Sequence, residues 1–158
     1  TPEEFVDVMT PWLIQAGLLT AEAATSRRGW LGELAPLVSE RVKRLDEIAP
    51  MVAFLFTDDA PNDPAARASV LAPQGAAEAL CAAATALAAV PEFSPAAVEE
   101  ALRRVAEESP VKPKLLFQAV RVAVSGSPVS LPLFESVALL GKERSLERIR
   151  AACAVPEA

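Results

Sequence analysis

The sequence predicts an all-α fold, a multi-helix bundle of two small packed helical subdomains. Three observations carry that expectation. Apolar residues recur at helical spacing along most of the chain. Alanine dominates residues 76–89, where it favours helix and lets neighbouring helices approach closely. No strand-like alternation survives beyond a few residues. A hydrophobic content of 52% over 158 residues is ample for a packed core.

The elements follow in chain order. Thr1-Pro-Glu-Glu reads as a helix start, with Thr1 capping, Pro2 at the first helical position and Glu4 closing a capping box. Phe5, Val8, Met9, Trp12 and Leu13 fall at helical spacing, and Gly17 is placed to terminate a helix over about 2–16. Thr20 is the next cap, and the stretch to Phe56 reads as helices with boundaries near Gly29, Pro36 and Pro50. The turn-rich run Asp58-Asp-Ala-Pro-Asn-Asp-Pro64 separates two subdomains, residues 1–60 and 61–158. Beyond it, helices are expected near 64–71, 74–89, 95–108 (Ser94 as cap, Pro95 first), 112–124, 131–140 and 145–153. Gly126 and Gly141 punctuate the last three, and Val-rich 120–124 belongs on a helix because its neighbours are strong helix formers.

Several function classes drop out on composition. The chain has no histidine, so neither a Ser-His-Asp nor a Cys-His arrangement exists, and the commonest general base and metal ligand is missing. No catalytic residue and no metal site is expected. Cys81 and Cys153 stand alone, without CxxC spacing, and predict neither a disulfide framework nor a zinc knuckle; a reducing cytoplasm is the expected home. No run of about 18 apolar residues occurs, so no membrane association is expected. The acidic start has neither a basic n-region nor an initiator methionine. The chain therefore reads as a piece of a larger soluble protein.

Charge is distributed unevenly. Residues 1–111 carry 8 basic and 17 acidic side chains, whereas residues 112–150 carry 7 basic and 3 acidic, within an overall net charge of −6. A basic end on an acidic chain is compatible with phosphate binding, and equally with a solvated helix face.

Two segments resemble the C-terminal anticodon-binding region of bacterial glutamyl-tRNA synthetase, a class I aminoacyl-tRNA synthetase. The first is residues 39–59, Ser-Glu-Arg-Val-Lys-Arg-Leu-Asp-Glu-Ile-Ala-Pro-Met-Val-Ala-Phe-Leu-Phe-Thr-Asp-Asp, similar to a family helix with an Arg and a Leu ahead of a Phe/Tyr-Leu-Phe-Thr ending. The second starts at Lys112-Pro-Lys-Leu-Leu-Phe-Gln-Ala-Val-Arg121 and runs through the Ser125-Gly126 turn and Leu131-Pro-Leu-Phe-Glu135 to Leu139-Leu-Gly-Lys-Glu-Arg144. The sequence departs from the family pattern in Gln118-Ala-Val-Arg121, where Gln-Pro-Leu-Arg is common, and in Ser125, where threonine is common. About a third of the chain carries the specific resemblance; residues 60–110 match in helical character alone.

The resemblance implies a helical cage that grips the anticodon arm of glutamate tRNA, with no DNA partner and a monomeric state. It also implies a catalytic domain elsewhere that uses ATP and Mg to attach glutamate. The HIGH-type motif of that domain cannot occur in a chain without histidine, and no KMSKS-type loop is found. The fragment alone is expected to be inactive and to need no cofactor.

By the same resemblance, Arg41 reads the third anticodon base, a task that suits the paired donors of a guanidinium. The alternative is an exposed helical arginine paired with Glu40 or Glu47. Arg121, Ser130, Leu131 and Leu133 align with contacts to the first two bases, although leucines flanking Pro132 are more often core. Lys43, Arg44, Lys112, Lys114, Lys142 and Arg144, with Arg148 and Arg150, are phosphate-contact candidates. Phe117 and Phe134 could stack bases but sit at core spacing, and Trp12 and Trp30 read as core anchors. Two other functions stay open: a helical adaptor docking a protein through alanine-lined grooves, and an isolated paralogue acting in trans.

Overall fold

The computed structural model describes residues 2–56, 64–72, 75–126 and 131–153. Among them are ten α-helices and no strand. The chain divides into two compact units, Thr1–Thr57 and Asp58–Ala158. The Asp58–Asp63 part of the expected loop and the Thr1 cap lie outside the described residues.

The first unit contains α1 (Pro2–Gln15), α2 (Ala21–Ser26), α3 (Arg28–Ser39), a 3-10 turn (Leu45–Glu47) and α4 (Ile48–Phe56). α1 closes in a Schellman motif, with Gly17 at φ 79°, its N–H on Ile14 O (3.0 Å) and Leu18 N–H on Leu13 O (3.0 Å). Thr20 caps α2 by accepting from Ala23 N at 3.0 Å. α1 buries Val6, Met9 and Leu13 against Leu31, Leu34, Ala35 and Val38 of α3, each set at the three-and-four spacing of one helix face. α4 adds Ile48, Val52 and Leu55. The boundaries expected near Gly29 and Pro50 fall within two residues of real ones, since α3 starts at Arg28 and α4 at Ile48, whereas the boundary expected at Pro36 is corrected, because Pro36 lies inside α3. Pro36 removes a single bond from the α3 ladder while buried residues on both sides hold the helix in place. At Pro50 the missing N–H is one that a helix start leaves unpaired anyway.

The second unit contains α5 (Pro64–Leu71), α6 (Ala76–Ala88), α7 (Pro95–Glu108), α8 (Pro113–Ser125), α9 (Leu133–Leu140) and α10 (Lys142–Cys153). Ser94 caps α7 as expected, accepting from Ala97 N at 3.2 Å. α10 starts three residues earlier than its expected start, because Gly141 at φ 96° turns the chain directly out of α9. α10 lies along α6, whose buried face of Ala76, Ala79, Leu80, Ala83, Ala84 and Leu87 is mostly small enough for close approach. α10 also packs on α8 and α9, and α7 packs on α6, α8 and α9.

The two cysteines are bonded to each other, which corrects the expectation of unpaired thiols. Cys81 of α6 and Cys153 of α10 have Cα atoms 5.5 Å apart across 72 residues of chain. Antiparallel packing of the helices brings them together, a signal absent from their local spacing. Cysteine usage therefore no longer argues for a reducing compartment.

Candidate nucleic-acid interface

In the first unit, α3 stops at Ser39 and the chain makes a turn that carries Arg41, Lys43 and Arg44, all exposed. Arg41 is thus on a turn, not on a helix as expected. Its N–H bonds Val38 O at 3.0 Å, closing the end of α3. Glu47 pins the turn from below: its Oε1 accepts from Arg44 N (2.9 Å) and Lys43 N (3.3 Å). Among the described residues the Arg41 guanidinium meets no carboxylate. The Arg44 guanidinium pairs with Asp46 at 2.9 Å, an exposed pair of small energetic weight. A cationic turn held rigidly by one carboxylate presents donors outward, which suits a base edge or phosphates.

Trp12 and Trp30 are half-buried surface aromatics instead of core anchors. Trp30 meets Phe56 edge-to-face, with centroids 5.3 Å apart, and the Arg27 guanidinium lies 4.3 Å from the Trp30 centroid. The spacing from Arg27 to Trp30 was visible in the sequence; Phe56 joins them through tertiary packing alone.

In the second unit, Arg121 is half-buried on α8, one turn before its end. Ser130 lies outside the described residues. Leu131 (0% exposed) and Leu133 (6%) are core residues. Their side chains offer no apolar wall to a base here, because the start of α9 is anchored by them. Phe117 and Phe134 are half-buried and meet edge-to-face at 5.5 Å. The Arg103 guanidinium, itself paired with Glu99 at 2.7 Å, lies 5.5 Å from the Phe117 centroid and 5.8 Å from that of Phe134. Arg103 is a cation over an aromatic pair that no local pattern announced, since its partners lie on two other helices.

The basic end splits into outward and inward members. Lys112 and Lys114 are exposed at the start of α8, and Arg150 is exposed on α10. Lys142, expected at a phosphate, instead caps α6: its Nζ donates to Ala88 O (3.3 Å) and to Val90 O. An ammonium at the negative end of a helix dipole satisfies carbonyls that have no intrahelical partner. Replacing Lys142 with Met is expected to cost about 1–2 kcal/mol of stability, seen as a lower urea midpoint; an unmoved midpoint would return Lys142 to the free surface cations. Arg144 is half-buried, with its Nε on Leu140 O at 3.3 Å. Arg148 is 1% exposed and donates to Val124 O at 2.8 Å, so it is removed from the phosphate candidates.

The alanine-lined groove of the adaptor alternative lies between α6 and α7, about 650 Å³ in volume and lined in part by Ala79, Ala82, Ala86, Arg104 and Val105. Among the described residues no three His, Cys, Asp or Glu side chains converge as metal ligands. No helix there is long and apolar enough to cross a membrane.

A family model described as "Anticodon binding domain" matches residues 4–153. The chain is similar to the glutamate–tRNA ligase of Saccharopolyspora erythraea, at 41% identity over 152 residues, covering 95% of this chain and 30% of that protein. Comparable likeness extends to the glutamate–tRNA ligase of Leifsonia xyli subsp. xyli (43% over 151 residues, 92% and 30% covered). That of Roseiflexus castenholzii is 39% identical over 156 residues, with 98% and 31% covered. The chain spans about three tenths of the length of these relatives. The crystal structure of a glutamate tRNA ligase from Elizabethkingia meningosepticum in complex with its amino acid shares the fold, with a TM-score of 0.80 at 15% identity over 99% of this chain and 30% of that one. None of these matches supports the adaptor alternative.

Proposed function

Since this chain belongs to the family of anticodon binding domains, we propose that it is the part of a glutamate–tRNA ligase that recognises the anticodon arm of glutamate tRNA. The observation that carries the proposal is the exposed turn of Arg41, Lys43 and Arg44, pinned by Glu47 and with the Arg41 guanidinium unengaged by any carboxylate of the described residues. Arg41 is assigned the third anticodon base, with Lys43 and Arg44 on flanking phosphates. Arg121 and Ser130 are assigned polar contacts to the first two bases, while Leu131 and Leu133 seat the chain beneath them. Lys112 and Lys114 hold the backbone.

These roles divide between subdomains 1–60 and 61–158. The chain spans about three tenths of the length of its glutamate–tRNA ligase relatives, and its sequence carries neither the HIGH-type nor the KMSKS-type motif of the family's catalytic domain. ATP, Mg and glutamate attachment are therefore assigned to a catalytic domain outside this chain, in a monomeric cytoplasmic enzyme.

Binding of fluorescent glutamate tRNA to the 158-residue chain tests the proposal. Affinity should fall linearly on a log–log plot as salt rises, because phosphate contacts release counterions. Arg41→Ala should weaken binding by about 1–3 kcal/mol, the scale of a bidentate base contact, and reduce the preference over glutamine tRNA. Unchanged affinity and unchanged preference would remove Arg41 from the interface.

A further inference from the structure

Arg148 is the one fully buried charged side chain among the described residues, and its place in the fold is specific. α8 ends beside it. Gly126, at φ 78°, sends its N–H to Val122 O at 2.7 Å, and the Ser125 hydroxyl donates to Arg121 O at 2.6 Å. The carbonyl of Val124 is taken by Arg148 Nη1 at 2.8 Å, from α10, 24 residues further along the chain. The end of α8 is thus closed by an amide, a hydroxyl and a guanidinium, the last of these coming from another helix. A cation there meets the negative end of the helix dipole, which offsets part of the cost of burying it. An apolar side chain of similar length would fill the space without that cost, but would leave the buried Val124 carbonyl unpaired. The arginine therefore has a geometric task beyond packing.

We propose that Arg148 is a positioning residue for tRNA recognition: by tying the last turn of α8 to α10, it fixes the direction in which α8 presents Arg121. This deepens the anticodon-binding function proposed above and rests on it. The residue touches no nucleotide. It acts through Val124, which lies three residues beyond Arg121 on the same helix.

The test compares Arg148→Lys, Arg148→Met, Arg121→Ala and the Arg148→Lys/Arg121→Ala double variant in the 158-residue chain. Far-UV circular dichroism and urea midpoints establish folding, and binding is measured with glutamate tRNA and with a transcript changed at the first two anticodon bases. Arg148→Lys keeps the charge but loses the fork. It is expected to fold, to bind glutamate tRNA roughly tenfold more weakly, and to lose most of its preference over the altered transcript; in the Arg121→Ala background the same change should have almost no further effect. Arg148→Met should lose at least as much. Native binding by a folded Arg148→Lys overturns the inference. So does an equal loss with and without Arg121, or unfolding of both Arg148 variants, since the residue would then serve general stability. Failure of the unaltered chain to prefer glutamate tRNA over the altered transcript is a separate result: it overturns the function beneath the inference.

Discussion

Opening the Cys81–Cys153 bridge is expected to lower the unfolding free energy of the second unit by about 4 kcal/mol. The bridge joins residues separated by 72 positions, and closing a loop of that size removes chain entropy from the unfolded state by about that amount at room temperature. Residual structure in the unfolded chain makes this an upper figure. The folded state loses little in return, because α6 and α10 are also held by their packed faces and, at the far end, by Lys142 on Ala88 O and Val90 O. The check is a urea titration of the oxidised protein, with and without reductant, alongside a Cys81→Ser/Cys153→Ser variant. Reduced and doubly substituted forms should unfold at midpoints lower by about 1 M or more, given ordinary urea sensitivities for a domain of this size. Coincident transitions for all three would mean that the bridge does not constrain the unfolded chain. Cys81 is exposed, so small thiols can reach the bond and the two states can be compared on one preparation.

Leu31→Ala should destabilise the first unit by about 2–5 kcal/mol. Leu31 is 0% exposed on the face of α3 that meets α1, and truncation removes the transfer free energy of the lost methyl groups while leaving a cavity. The loss falls on a unit of 57 residues, small enough that one such cavity is a large fraction of its stability. Both tryptophans of the chain, Trp12 and Trp30, belong to this unit, so their fluorescence reports its unfolding directly. The tryptophan transition should move to markedly lower urea. A transition displaced by less than about 0.5 kcal/mol, the range of an ordinary surface substitution, would show that Leu31 is not part of a packed core.

Much of the fold was legible because helix ends are local events. Thr20 with Ala23, Ser94 with Ala97, Gly17 with Ile14 and Leu18 with Leu13 each involve residues no more than a few positions apart. The misplaced boundary at Pro36 arose where a local rule met a tertiary one. An interior proline weakens a helix by about 3 kcal/mol or more, and the buried face of α3 outweighs that. The real break, at residues 40–44, is marked in the sequence by a run of charge, and that run is the candidate interface itself.

The candidate site was legible by residue type and less so by role. Arg41, Lys43 and Arg44 stand exposed as a group. Lys142 and Arg148 do not, since each is spent on backbone carbonyls from distant segments of the chain. A cation that binds a phosphate and one that closes a helix look alike in sequence, because both need the same charge on the same flexible stem. Their partners decide, and those partners lie 24 to 54 residues away.

Sequence alone therefore determined the helical class, most caps, the basic character of the last third and, through two short segments, the family. The tertiary structure decided which cations face outward, that Leu131 and Leu133 are core, and that Cys81 meets Cys153. The division has one physical cause. Hydrogen bonds that start and stop helices are made within a few residues, whereas burial and the capping of one helix by another exist only after distant segments have packed.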